Sequence, residues 1–128
     1  MQLALTVLDA TVAVCRLEPS AAVPEWALAA EFSSVTRTPE ELSIVCAEDD
    51  APLDAVCERG WRCLQVTGPI VFELVGVAAA ITTPLAEAGV SVFFMSTYDT
   101  DWVLVQADDL ERAIGALEQA GHVVASSK

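Results

Sequence analysis

Hydrophobic and polar positions in the C-terminal half of the chain follow two different periodicities. Apolar residues recur every four positions from Val77 to Leu85, which is the spacing of one helix face. Residues 91–97 are then rich in Val and Phe, and a polar turn separates them from the apolar run 102–105. This pattern predicts a helix over 77–88, with Pro84 as the site of a kink or a late start, followed by a β-hairpin.

A second helix is predicted at Asp108, because Glu111 stands three residues later, where a capping box places it. Gly121 ends this helix, and a strand follows over 122–125. With a strand at 62–66, the order becomes β-α-β-β-α-β, which predicts a ferredoxin-like unit. Such a unit has a four-stranded antiparallel sheet with both helices on one face.

The N-terminal half reads as an incomplete copy of the same unit, β-α-β-β. The predicted elements are strands 2–8 and 11–17, a short helix 24–30, and a hairpin of strands 33–38 and 42–46, with a break between the first two strands at Asp9 and Ala10. The acidic stretch 48–60 is the predicted boundary, as a loop or short helix. We therefore expect an α+β fold of two tandem units, 1–60 and 61–128.

The predicted hairpin 91–105 is apolar on both faces. Phe93 and Met95 alternate with Phe94, and Leu104 alternates with Val103. Helices cover only one face of the sheet, and an exposed apolar face of this size calls for a partner. We expect the N-terminal half, a second copy of the chain, or both to cover it.

Acidic residues dominate the charge, with 19 Asp and Glu against 6 Lys and Arg and a net charge of −13. Such a surface repels phosphate backbones, so nucleic acid is not an expected partner. A cationic ligand or a basic protein would be attracted. The alternative explanation is that the negative charge only keeps an apolar protein in solution.

The sequence lacks the usual pattern of a membrane span or of a secretory signal. No apolar run reaches the roughly 18–20 residues of a membrane helix, and Asp9 interrupts the N-terminal apolar run. We therefore expect neither a membrane span nor a secretory signal, and we expect a cytosolic location.

The spacing of Cys15, Cys46, Cys57 and Cys63 does not fit a zinc site, which predicts buried free thiols and no metal.

A family resemblance rests on three segments. These are Gly76 with the string Pro-Leu-Ala-Glu-Ala-Gly-Val at 84–90, the string Ser-Thr-Tyr-Asp-Thr-Asp at 96–101, and the strand pair 32–38 and 42–45. Together they resemble the ACT domains of the CASTOR group of cytosolic arginine sensors and its small bacterial relatives. The resemblance covers residues from about Leu3 to His122.

The resemblance implies a tandem pair of ACT units that hold an amino acid between them. It assigns the ligand's amino and carboxylate groups to the first strand–helix junction, and further contacts to the facing unit and to the hairpin turn. The residues it implies are Phe72, Glu73, Leu74, Val75, Gly76, Val77 and Ile81 at the junction, Ser34, Val35 and Thr36 in the facing unit, and Thr97, Asp99, Thr100 and Asp101 in the turn. Asp99 and Asp101 have two possible roles: they bind the side chain of a cationic amino acid, or they only stabilise the turn.

The sequence shows no arrangement of residues typical of a catalytic site. The single histidine is His122, and nothing in the sequence spacing pairs it with the nucleophile and the acid that a catalytic triad needs. We expect it to have a structural role at a helix end. The expected function is an amino-acid-binding regulatory module without catalytic residues or cofactor. Its expected partners are a free amino acid, a second copy in a homodimer and an unknown regulated protein. The alternative is a dimerisation or protein-interaction module that binds no ligand.

Overall fold

The computed structural model describes residues 1–67 and 75–126, and it divides into two units. The C-terminal unit consists of Met1–Asp9 together with the chain from Arg62 onward, and the N-terminal unit consists of Ala10–Trp61. The first nine residues, which the sequence places in a unit 1–60, therefore belong to the C-terminal unit. The reason is apolar burial, since Leu5 and Val7 lie in the core of that unit.

The helices and strands follow the predicted order in both halves. They are β1 Ala4–Leu17, β2 Ser34–Arg37, β3 Leu42–Ala47, β4 Val56–Val66, α1 Val77–Glu87, β5 Val92–Ser96, β6 Asp101–Gln106, α2 Leu110–Gln119 and β7 Val123–Ser126, with 3-10 turns at Glu25–Leu28, Glu48–Asp50 and Ala107–Asp109. Within the described residues, neither helix is long and apolar enough to span a bilayer.

Three local predictions are wrong. The predicted break at Asp9 and Ala10 is absent, because β1 runs through both residues with its backbone extended. β4 begins at Val56, inside the predicted boundary stretch. The capping box is not formed, because α2 begins at Leu110, after a 3-10 turn.

The sheet of the C-terminal unit contains one strand more than predicted. Its order is β7-β1-β4-β6-β5, with the first part of β1 between β7 and β4. β1 pairs in parallel with β7, with Ala4 opposite Val123, whereas β5 and β6 pair antiparallel as predicted. The α+β class is confirmed, but the four-stranded antiparallel sheet of the prediction becomes five strands with one parallel pair.

Both helices of the C-terminal unit pack on one face of its sheet. The core combines side chains of the two helices with inward-facing residues of β1, β4 and β6, which are Leu5, Val7, Leu64, Val66, Val77, Ile81, Leu85, Val103, Val105, Ala113 and Leu117. On the other face, Cys63 and Leu104 are also 0 % exposed. Phe93 and Met95 of the hairpin are half-buried, and the expectation that a partner covers this face stays a prediction.

The N-terminal unit contains the strand order β2-β3-β1-β4. β3 pairs antiparallel with both β1 and β2, which confirms the predicted hairpin around Pro39. The core of this unit is small and includes Ala27 from the 3-10 turn Glu25–Leu28.

A disulfide joins Cys15 in β1 to Cys57 in β4, so the prediction of free thiols is wrong for both residues. The two Cα atoms lie 4.0 Å apart although 42 positions separate the residues in sequence. Strand pairing brings them together, and sequence spacing gives no sign of it. Cys46 and Cys63 are free and buried, as predicted.

Candidate functional site

The first turn of α1 has backbone amides that have no acceptor within the helix. Gly76 caps the helix with φ +92°, a conformation that glycine adopts readily and other residues do not. The first helical bond of this turn runs from the Ala80 N–H to the Gly76 carbonyl at 2.9 Å, so the amides of residues 77–79 have no acceptor within the helix. Among the described residues, no side chain caps this helix end.

His122 fixes the position of that helix turn. Its Nδ1 accepts the backbone N–H of Leu3 at 3.0 Å, and its Nε2 donates to the carbonyl of Ala80 at 2.9 Å. The Leu3 amide can only donate and the Ala80 carbonyl can only accept, so the ring is neutral with its proton on Nε2. His122 is 5 % exposed and ties the first turn of α1 to the start of β1.

The turn between β5 and β6 is held by its own hydrogen bonds. Thr97 Oγ1 donates to the Thr100 carbonyl at 3.0 Å and accepts the Trp102 Nε1–H at 2.9 Å. Asp101 accepts the Ser96 hydroxyl at 2.7 Å through Oδ1. This turn therefore presents Asp99, which is exposed, from a fixed backbone.

A chain of hydrogen bonds places the turn and the start of α1 at the same end of the C-terminal unit. Thr100 Oγ1 donates to the Val66 carbonyl at 2.6 Å, which ties the turn to the end of β4. The next residue, Thr67, donates its N–H to the Ala4 carbonyl at 2.7 Å, at the start of β1. His122 then links the start of β1 to α1. We call this end of the unit, formed by residues 75–80 and 97–101, the α1 end.

The structure places the other predicted residues as follows. Ile81 is 0 % exposed in the core, and Thr100 is 4 % exposed with its hydroxyl engaged. Val35 packs against the core of the N-terminal unit, beside Ser34 and Thr36 on β2. Phe72, Glu73 and Leu74 lie outside the described residues.

The two free thiols are buried in the interior of their units. Burial raises the pKa of the Cys63 thiol to about 12, and burial, followed by the Asp50 charge, raises the pKa of Cys46. Both thiols are therefore poor nucleophiles. Residues 1–67 and 75–126 contain no group of three or more side chains that could hold a metal ion.

The bridging role of His122 is the feature that sequence reasoning missed. The sequence suggests a structural histidine at a helix end, but its partners are Leu3 and Ala80, at separations of 119 and 42 residues. No local pattern indicates such distant partners.

Comparison with known families covers most of the chain. The model of the ACT domain family matches residues 56–119, and a second model, of an N-terminal domain family, matches residues 11–54. The chain belongs to the ACT domain family. In this ACT protein the matched region contains β4, α1, β5, β6 and α2, and so includes the whole α1 end.

Sequence relatives confirm the resemblance to cytosolic arginine sensors. The chain is 35 % identical over 98 residues to the cytosolic arginine sensor for mTORC1 subunit 1 of Bos taurus, and 34 % identical over 100 residues to that of Homo sapiens. These alignments cover 68 % and 70 % of this chain but 30 % of each relative. The ACT protein therefore matches under a third of the length of these sensors.

Solved structures agree with the fold. A crystal structure of a protein from Agrobacterium tumefaciens is 37 % identical, with a TM-score of 0.95 over 100 % of this chain and 96 % of that one. The regulatory subunit of aspartate kinase from Thermus thermophilus has a TM-score of 0.62 at 18 % identity, over 94 % of this chain and 97 % of that one, which shows a shared fold.

Proposed function

We propose that this ACT protein is a regulatory module that binds a free amino acid at the α1 end. The observation that carries the proposal is the uncapped first turn of α1, which lies at the same end of the unit as the turn that bears Asp99 and Asp101. The amides at a helix N-terminus favour a carboxylate. An α-amino acid supplies one, together with an amino group and a side chain that nearby groups can select.

A cationic side chain fits the charges at this end. Asp99 is exposed and Asp101 is half-buried, with one carboxylate oxygen already bonded to Ser96. The chain carries a net charge of −13, which favours a cation further. Relatives named arginine sensors support arginine or lysine as the ligand and a cytosolic location.

Two groups of predicted contacts complete the proposed site. Ser34, Val35 and Thr36 are the contacts that the family resemblance assigns to the facing unit, and they stay a prediction. Phe72, Glu73 and Leu74, which stand a few positions before α1 in the sequence, stay a prediction as well.

Binding is tested by urea unfolding with each of the twenty amino acids. A ligand at 100 times its dissociation constant raises the free energy of unfolding by about 2.7 kcal/mol. We expect arginine or lysine to give the largest increase. If no amino acid at millimolar concentration changes the unfolding midpoint, the proposal is wrong.

The role of the two carboxylates is tested with Asp99→Asn and Asp101→Asn. Loss of a charge-assisted hydrogen bond weakens binding by about 1.5–3 kcal/mol, so calorimetry is expected to show a much larger loss for arginine or lysine than for leucine. Asp108→Asn is the matched control, because Asp108 is exposed in the same unit and lies beyond the other end of β6. Equal weakening for all amino acids would mean that the turn shapes the site without selecting charge.

The alternative function, a dimerisation module that binds no ligand, is supported by exposed apolar side chains of the C-terminal unit. Val75 is 87 % exposed, and Val123 is 52 % exposed at the start of β7. Sedimentation equilibrium distinguishes the two functions. A dimer that Val75→Ser and Val123→Ser dissociate, in a protein that no amino acid stabilises, would favour the alternative.

A further inference from the structure

We infer that the N-terminal unit carries a docking groove for a basic, amphipathic peptide segment of a partner protein. The groove lies wholly within residues 10–61, and its occupant is a macromolecule. The inference therefore does not depend on amino-acid binding at the α1 end.

The groove has a volume of about 500 Å³ and a mainly apolar lining. The end of β1, the 3-10 turn Glu25–Leu28 and the loop before β4 enclose it, and its lining residues are Arg16, Leu17, Glu18, Pro24, Trp26, Pro52, Asp54, Ala55 and Val56. Trp26 packs against the core of the unit, which gives the groove a fixed aromatic wall.

Exposed apolar side chains extend the groove into a larger surface. Leu53 is 97 % exposed, Val56 is 72 % exposed and Leu28 is 61 % exposed. Leu53 stands between two lining residues in sequence, and Leu28 ends the turn that carries Trp26. Exposed apolar surface of this kind marks an interaction site. Because the apolar surface extends beyond the residues that line the groove, it suits a peptide better than a small molecule.

The net negative charge of the N-terminal unit favours a basic partner. Residues 10–61 contain ten acidic and three basic residues, a net charge of −7. The three arginines bind backbone carbonyls of the unit itself, Arg16 that of Glu40, Arg37 those of Pro19 and Ala21, and Arg59 that of Pro52.

Only one carboxylate on the groove is paired. Among the described residues, the sole ion pair in this unit is Arg16 with Glu18 at 3.4 Å. Asp54 lines the groove and is exposed. A partner with Lys or Arg beside apolar anchors complements this surface, whereas a second copy would bring two acidic surfaces together.

The test measures binding of a fluorescein-labelled amphipathic peptide of about 14 Leu and Lys residues by anisotropy. Two comparison peptides replace Lys with Glu, or scramble the order so that no apolar face forms. We expect binding of the first peptide alone, and weaker binding as salt rises. Equal binding of the Glu or scrambled peptide, or no binding of the Lys peptide at about 100 µM, overturns the inference.

The location is tested with the double variant Leu53→Ser and Val56→Ser, whose side chains are exposed and therefore dispensable for the core. Removal of these anchors is expected to weaken peptide binding by at least about tenfold. Val123→Ser is the control, since Val123 is exposed in the other unit. Unchanged affinity in the double variant overturns the inference. A dimer of the free protein that the double variant dissociates also overturns it, because a second copy would then be the occupant.

Discussion

At the scale of single residues, His122 and Thr100 hold together segments that are far apart in sequence. His122 connects Leu3 to Ala80, and Thr100 connects the β5–β6 turn to Val66. Both are buried polar groups with their hydrogen bonds satisfied, which is the condition under which such groups stabilise a fold. The two side chains hold the α1 end in one geometry. Their own polar atoms are engaged in these hydrogen bonds, so their role there is structural.

His122→Ala is expected to lower the free energy of unfolding by about 1–3 kcal/mol, because it leaves a buried amide and a buried carbonyl without their partner. Urea unfolding followed by circular dichroism measures the change. Val123→Ser at the neighbouring exposed position serves as the control and is expected to stay within about 0.5 kcal/mol of the parent chain. A His122→Ala value equally close to the parent would refute the bridging role.

The thiols give a second prediction at this scale. With a pKa of about 12, Cys63 has roughly one thiolate in ten thousand at pH 8, so the native protein is expected to react slowly with a disulfide reagent. Unfolding without reductant should expose the two free cysteines, and reduction before unfolding should give all four. Four thiols in the unreduced unfolded protein would contradict the Cys15–Cys57 disulfide.

At the scale of elements, the spacing of apolar residues predicts the helices well and the long strands less well. The apolar spacing from Val77 to Leu85 places α1 correctly, because one face of a helix has to pack on the sheet. The break predicted within β1 and the start predicted for β4 are wrong. A polar residue such as Asp9 interrupts an apolar pattern, but it does not interrupt backbone pairing with a neighbouring strand.

Gly76, which caps α1, and Gly115, which lies inside α2, are expected to respond in opposite directions to substitution by alanine. A Cβ at Gly76 or Gly115 meets no atom of residues 1–67 and 75–126 within 4 Å, so the backbone conformation decides the effect of the substitution. Gly76 has φ +92°, and Gly76→Ala should cost about 1–2 kcal/mol in stability. Gly115 lies inside α2, and Gly115→Ala should add about 0.5–1 kcal/mol. Urea unfolding of both variants tests this, and a loss at both positions would contradict it.

At the scale of the whole molecule, the chain does not divide into two consecutive domains. The first nine residues supply a strand between β7 and β4 and two core side chains, Leu5 and Val7. The unit that contains the α1 end is thus built from both ends of the chain.

A fragment of residues 62–128 is therefore expected to be largely unfolded, since it lacks that strand and leaves a gap in its core. Circular dichroism and urea unfolding of the fragment measure this, and addition of a peptide of residues 1–9 is expected to restore helical signal. A peptide with Leu5 and Val7 replaced by Ser is the control. Cooperative unfolding of the fragment at the midpoint of the full chain would show that the first strand is dispensable.

The sequence by itself determined the α+β class, the order of the elements, the family and the segments that meet at the α1 end. These depend on local periodicity, on turn residues and on strings such as 96–101, all of which are readable along the chain. Only the tertiary structure decided the fifth strand, the Cys15–Cys57 disulfide and the partners of His122. Each of these depends on contacts across 42 to 119 positions, and such contacts follow from how strands pair and pack, which no local pattern encodes.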